Sequence, residues 1–267
     1  EYHKYQNIKF QNNSKITEIL EASKINRPVL IVSGHIGPWE AVRALLRRNG
    51  VETAAIYRKS KNVFYQPYHH KTIEAGGKPI FQVGRRGTSA MIKFLKKGGV
   101  VCMMIDQAVS EGKYMDFMGI PAKTSFAIAN IAIKYNALII PAYAIRKEEN
   151  EPIQVIIEPS LKISNQFKII EKLNNSLENI IKKYPSQWYW VHNRWKWILG
   201  LINSPRIKIV YEQPEALEHT IASEGTVIAV SAQPLMMKIE DKAAKIRYFF
   251  IIILIGINKY DVKINYM

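Results

Sequence analysis

His35 and Glu40 are the two side chains in this sequence best suited to carry out chemistry together. A histidine and an acid five positions apart fit general-base catalysis. An ionised carboxylate can fix the tautomer of an imidazole and stabilise the imidazolium that forms when the ring takes up a proton. The spacing alone also fits a loop histidine followed by an acid that merely starts a helix, so the surrounding residues must decide.

The residues around this pair predict a strand followed by a helix. The apolar, β-branched run from Val29 to Ser33 lies between a proline and a glycine, which is typical of a buried parallel strand. Pro38 suits the first turn of a helix, so Glu40 is expected at the helix start, where the helix dipole favours an ionised carboxylate. His35 is then expected in the loop at the carboxyl end of the strand, where open α/β sheets bind their ligands.

The same alternation of elements continues along the chain. Short apolar strands are predicted at residues 51–57, 79–83, 99–105, 138–145 and 153–157. Helices are predicted at residues 16–25, 61–77, 85–97, 127–135 and 167–183. This pattern predicts an α/β fold, with a mainly parallel sheet sandwiched by helices.

The segment GHIGPWE, residues 34–40, resembles the conserved box of the bacterial late acyltransferases of lipid A biosynthesis and of their wider lysophospholipid acyltransferase relatives. The resemblance implies that His35 is the catalytic base and that Glu40 orients it. Pro38 departs from the family pattern, which usually has Asn at this position. Glu in place of Asp favours the lipid A type over the glycerol-phosphate acyltransferases.

Other segments resemble the family in the same order. Tyr57 and Arg58 resemble its YR block, MIDQ with FMGIPA resembles its DQ segment, and WVHNRWK resembles its closing segment. The resemblance covers roughly residues 10–197. It implies substrate-binding roles for Arg58, Asp106, Gln107 and Arg194, and it makes Arg85 and Arg86, in a glycine-flanked turn before a helix, expected contacts of the acyl donor.

The composition is that of a globular protein, with 48% hydrophobic and 22% charged residues and a net charge of +16. Residues 1–202 carry 30 Lys and Arg against 15 Asp and Glu, so the basic surface belongs to this part. Nucleic acid, an anionic membrane, or an acidic donor with a phosphorylated acceptor would each fit that charge. Cys102 lies in an apolar run, so it is expected to be a buried, inert thiol in a reducing compartment.

Two parts are expected: an acyltransferase domain at residues 1–200 and a C-terminal tail of unreadable function at 201–267. The apolar run at residues 248–257 is too short to span a bilayer, which takes about 20 residues. The resemblance implies a protein at the cytoplasmic face of the bacterial inner membrane. It would be held there peripherally or by an N-terminal segment absent from this chain.

The reaction implied is transfer of a fatty acyl group from acyl carrier protein or acyl-CoA to a hydroxyl of a membrane lipid, most simply a lipid A precursor. The partners would be that donor, the lipid acceptor and an anionic membrane surface, without nucleic acid. No metal and no cofactor are expected beyond the acyl thioester as co-substrate. The alternatives are another acceptor (a phosphatidylinositol mannoside, an ornithine lipid or a glycerophospholipid) and a non-catalytic basic module that binds RNA or membranes.

Overall fold

The computed structural model describes residues 9–10, 14–147, 151–162, 164–197, 209–210 and 228–229. Within these ranges the chain forms one seven-stranded sheet with helices on both faces. The predicted α/β fold with a mainly parallel sheet sandwiched by helices is therefore confirmed.

The sheet has the strand order β1-β9-β8-β2-β5-β3-β4. Neighbouring strands run parallel except β8 and β9, which pair antiparallel. The strands are β1 (Lys9–Phe10), β2 (Val29–Ser33), β3 (Thr53–Tyr57), β4 (Ile80–Gln82), β5 (Val100–Met104), β8 (Leu138–Ile145) and β9 (Gln154–Ile157).

Six helices connect and cover these strands. They are α1 (Ser14–Lys24), α2 (Glu40–Arg48), α3 (Gln66–Gly76), α4 (Arg85–Lys96), α5 (Ala127–Tyr135) and α6 (Gln166–Lys183). Helices α1 and α2 pack on one face of the sheet, and α4, α5 and α6 pack on the other. Strand β2 contributes Val29 and Ile31 to the first core and Leu30 and Val32 to the second, which explains its unbroken apolar sequence.

A β-hairpin of β6 (Lys113–Phe117) and β7 (Ile120–Thr124) follows β5. The sequence analysis did not predict these strands, because the segment lacks a clear apolar alternation. The turn depends on Met118 and Gly119, both with positive φ, and the Asp116 carboxylate accepts a hydrogen bond from the Gly119 N–H. The hairpin packs against α6, beside the loop that follows β5.

The predicted division at residue 200 remains a prediction, because the tail lies outside the described residues apart from β10 (Ile209–Val210) and β11 (Ile228–Ala229), which pair in parallel. None of the helices in the described part of the chain combines the length and the apolarity needed to cross a bilayer.

Candidate active site

The register between β2 and β5 brings His35 and Asp106 together. Ser33 pairs with Met104 at the carboxyl ends of these parallel strands, and His35 and Asp106 each follow two residues later. Residues 71 apart in sequence therefore leave the sheet side by side. This edge is the usual position of ligand sites in open α/β sheets.

The Asp106 carboxylate accepts three hydrogen bonds and is fully buried. The Nδ1 atom of His35 lies 2.8 Å from Oδ1, and the His35 backbone N–H donates to Oδ2 at 2.7 Å. The indole Nε1 of Trp188 also donates to Oδ2, at 2.9 Å. Both the ring and the backbone of His35 are thus fixed by one carboxylate.

Burial would raise the pKa of Asp106, but the hydrogen bond and charge of His35, with the hydrogen bond of Trp188, outweigh burial and lower that pKa. An ionised Asp106 can only accept hydrogen bonds, so Nδ1 of His35 must carry the proton in this contact. In the neutral ring, Nε2 of His35 is then the nitrogen without a proton. It has the lone pair that a general base needs.

The backbone of residues 187–189 holds the loop that carries His35 in place. The Tyr189 N–H donates to the His35 carbonyl at 2.8 Å, and the Gly37 N–H donates to the Gln187 carbonyl at 2.9 Å. Gly37 has a φ of +53°, and a Cβ there would lie 2.5 Å from the Ala144 carbonyl oxygen. Glycine is therefore required at this position by both backbone conformation and space.

Glu40 starts α2 as predicted, but its hydrogen bond goes to a different partner from the one expected. The sequence analysis expected Glu40 to hold His35, whereas the structure pairs its Oε2 with Nη1 of Arg43 at 2.6 Å. Both side chains are buried. The same guanidinium donates to three backbone carbonyls, those of Thr53, Ile73 and Gly77.

The Glu40–Arg43 pair therefore ties the start of α2 to β3 and to the end of α3. Burial raises the pKa of Glu40. The charge and hydrogen bond of Arg43, and then the charge of His35, lower this pKa but do not outweigh burial. Glu40 thus acts on His35 electrostatically, without a hydrogen bond between the two described side chains. Its predicted catalytic role remains a prediction.

His192 lies directly against the His35 ring. The centroids of the His35 and His192 rings are 4.4 Å apart, with the planes at 72°. Burial lowers the pKa of His192, and the charge of His35 lowers it further. A positive charge on His35 therefore makes protonation of His192 less favourable.

The predicted substrate-binding residues fall into two groups. Arg58, Arg85, Arg86 and Gln107 are exposed on loops or a helix start at the same edge of the sheet as His35. An open depression of about 480 Å³ lies beside Arg58; its lining residues are Tyr57, Lys59, Gln66, Pro67, His70 and Gln82. The substrate contacts of these four residues remain predictions.

Arg194, by contrast, is buried and bonded within the chain. Its guanidinium donates to the Lys123 carbonyl and to Oγ1 of Thr124, each at 2.6 Å, and it lies over the Phe117 ring. Burial lowers the pKa of Arg194 to about 10, which still leaves it charged at neutral pH. Arg194 thus attaches the closing segment to the hairpin β6–β7, and its predicted contact with substrate remains a prediction.

Asp106 was predicted from the sequence to be a substrate-binding residue. In the structure the Asp106 carboxylate orients His35 and accepts a hydrogen bond from the Trp188 indole, and its contact with substrate remains a prediction. His35 and Asp106 each lie two residues after a strand, and this equal spacing could have indicated that they meet. It does so only if β2 and β5 are known to be neighbours in the sheet. No local pattern indicated the indole hydrogen bond of Trp188.

Across the described ranges, no group of three or more His, Cys, Asp or Glu side chains is arranged to hold a metal ion. Cys102 is buried in β5, and burial raises the pKa of its thiol to about 12. A thiol with that pKa is almost entirely protonated at neutral pH. Cys102 is therefore unsuited to act as a nucleophile.

A buried carboxylate that orients a histidine at the carboxyl edge of a parallel sheet is an arrangement chemically suited to general-base catalysis. The family described as bacterial lipid A biosynthesis acyltransferase matches residues 4–197. The chain belongs to this family, and it is an acyltransferase. No individual curated protein gave a significant match.

Proposed function

We propose that this enzyme transfers a fatty acyl group from a thioester to a hydroxyl of a lipid A precursor, with His35 as the general base. The observation that carries the proposal is the hydrogen bond between His35 Nδ1 and the buried Asp106. This hydrogen bond places the proton of a neutral His35 ring on Nδ1, so that Nε2 carries the lone pair, and it fixes the direction of the ring. The donor is acyl carrier protein or acyl-CoA, and the site is at the cytoplasmic face of the inner membrane.

The reaction proceeds without a covalent acyl-enzyme. His35 Nε2 takes the proton of the acceptor hydroxyl as its oxygen attacks the thioester carbonyl carbon, and a tetrahedral intermediate forms. Asp106 stabilises the imidazolium that results. The carbon–sulfur bond then breaks, the thiolate leaves, and the imidazolium returns the proton to the sulfur. The products are an ester and a free thiol, and the base is regenerated.

The basic edge of the sheet supports binding of a phosphorylated donor. Arg85 and Arg86 lie at the start of α4, directly after β4, which is three strands from β2. Three strand spacings correspond to roughly 14 Å. We propose that these arginines bind the phosphate of the donor's pantetheine arm, whose thioester end then reaches His35. The donor is a co-substrate, and the proposal includes no other cofactor.

The test is acyl transfer in detergent micelles with each donor against a panel of acceptors. Lipid A precursor is expected to accept label from wild type. His35→Ala is expected to lose at least 10³-fold in kcat while keeping its unfolding midpoint. Transfer to phosphatidylinositol mannoside, ornithine lipid or glycerophospholipid instead would correct the acceptor but keep the mechanism. Full activity of His35→Ala would refute the mechanism.

A further inference from the structure

Four large apolar side chains are exposed together on the segment between β3 and the first turn of α3. The exposed fractions are 71% for Val63, 86% for Phe64, 55% for Tyr65 and 73% for Tyr68. We refer to these four residues as the aromatic patch. Such a cluster is unusual on a water-exposed surface and commonly marks a surface that binds a partner.

The backbone under the patch is ordered by specific hydrogen bonds. The Asn62 side-chain oxygen accepts from the N–H groups of Phe64 and Tyr65, at 3.0 and 3.1 Å. The Gln66 side chain accepts from the Ser60 N–H at 2.7 Å. The exposure of these rings is therefore built into a defined turn.

The charge of the segment is entirely positive. Residues 53–73 contain no Asp or Glu, and four cations among them are exposed: Arg58, Lys59, Lys61 and Lys71. Aromatic rings surrounded by lysines and arginines match the interface of an anionic bilayer, where the rings enter the headgroup region and the cations bind lipid phosphates. An acidic protein would satisfy the charges but would need a complementary apolar surface.

The patch lies on the same edge of the sheet as the candidate active site. It follows β3, which is separated from β2 only by β5. Tyr189 and Val191, next to the His35 loop, are also exposed apolar side chains at this edge. A membrane that binds the aromatic patch would therefore face the catalytic histidine.

We propose that the aromatic patch and its surrounding cations dock the enzyme on an anionic lipid bilayer, with His35 facing the lipid surface. The inference rests on the proposed function in one respect: a lipid acceptor gives the docking its purpose. Docking can nevertheless be measured without donor or acceptor. Failure of docking and failure of acyl transfer are thus separate results.

The test is flotation of the full chain with vesicles of phosphatidylethanolamine and phosphatidylglycerol, compared with vesicles of phosphatidylcholine. The double variant Phe64→Ser/Tyr68→Ser is expected to lower the partition coefficient on anionic vesicles at least tenfold. Lys59→Gln/Lys61→Gln is expected to lower the partition coefficient about 30-fold on anionic vesicles and little on neutral ones.

Matched controls lie at the opposite edge of the sheet. Ile25 is 74% exposed at the end of α1, and Ile25→Ser is expected to bind vesicles like wild type. Lys24→Gln/Lys97→Gln removes two exposed cations there and is expected to bind within about twofold of wild type.

Unchanged vesicle binding by Phe64→Ser/Tyr68→Ser would overturn the proposal, as would an equal loss in Ile25→Ser. If Phe64→Ser/Tyr68→Ser binds vesicles normally but binds acyl carrier protein more weakly, the aromatic patch is a protein-docking surface. That result also overturns the proposal. If Phe64→Ser/Tyr68→Ser loses vesicle binding and the wild-type protein transfers no acyl group, docking is supported and the proposed function is refuted.

Discussion

Replacing Asp106 by Asn should abolish catalysis while leaving the fold almost intact. Oδ2 of Asp106 accepts from two N–H groups, the His35 backbone and the Trp188 indole. The amide oxygen of Asn must take this position, because an amide NH₂ there would face two donors. The amide NH₂ then faces Nδ1 of His35 and can only donate to it.

This exchange forces the other tautomer on His35. Nδ1 becomes the acceptor, the proton moves to Nε2, and the nitrogen that should take the hydroxyl proton no longer has a free lone pair. We expect kcat to fall about 10³- to 10⁴-fold. All three contacts persist in neutral form, so the free energy of unfolding should fall by only about 1–3 kcal/mol.

Glu40→Gln is the matched comparison, because it is the same chemical change at the acid five residues after His35. The Gln oxygen can still accept from Arg43, which keeps its three backbone carbonyls. The buried cation loses its counter-ion, so we expect the free energy of unfolding to fall by about 3–5 kcal/mol, with kcat reduced less than tenfold.

The assays are steady-state acyl transfer, urea unfolding, and ¹⁵N NMR of the His35 ring to assign its tautomer. The expected signature for Asp106→Asn is a protonated Nε2 with a near-native unfolding midpoint. The reasoning is refuted if Asp106→Asn transfers within tenfold of wild type. It is also refuted if a folded Glu40→Gln loses as much activity as Asp106→Asn.

Three further predictions concern the same region. Cys102, with a pKa raised to about 12, should resist iodoacetamide in the native protein and react only on unfolding; modification without denaturant would contradict its burial. The pKa of His192 is lowered in the folded state, so on acidification the unfolded state binds a proton at this residue first. The free energy of unfolding, measured with urea, should therefore decline as the pH falls below about 6.5. The decline should be shallower in His192→Gln. Gly37→Ala should lower the melting temperature more than Gly50→Ala does. Both glycines have positive φ, but only at Gly37 would the added Cβ lie 2.5 Å from a carbonyl oxygen. Equal melting temperatures would contradict this prediction.

The central strands of the sheet could be predicted from the sequence because they are buried on both faces. Val29–Ser33 and Leu138–Ile145 are continuous apolar runs, and their predicted bounds agree with the structure. Helix α5 also agrees exactly with its predicted range, Ala127–Tyr135. Local burial requirements determine such elements, so a local pattern predicts them.

The hairpin β6–β7 could not be predicted in the same way. Its strands show no regular alternation of buried and exposed residues, and its turn depends on positive φ at Met118, a residue type with no preference for that conformation. The hairpin also packs against α6, an element far away in sequence. Tertiary contacts therefore decide this element.

The candidate site shows the same limit. His35 could be found because it stands in a short motif at a strand end, and Glu40 was paired with it because the two are close in sequence. Its hydrogen-bond partner Asp106 depends on strand order and register, which a single sequence does not reveal. Arg43, the partner of Glu40, lies three residues further along α2, a spacing at which helical side chains meet.

The most direct test of the account is a single-turnover experiment with a radiolabelled acyl donor, following label in both lipid and protein. General-base transfer predicts that label passes directly to the lipid, that no label is bound covalently to the protein when acceptor is omitted, and that His35→Ala stops the transfer. Accumulation of a labelled acyl-enzyme without acceptor, or transfer by His35→Ala at the wild-type rate, would contradict it.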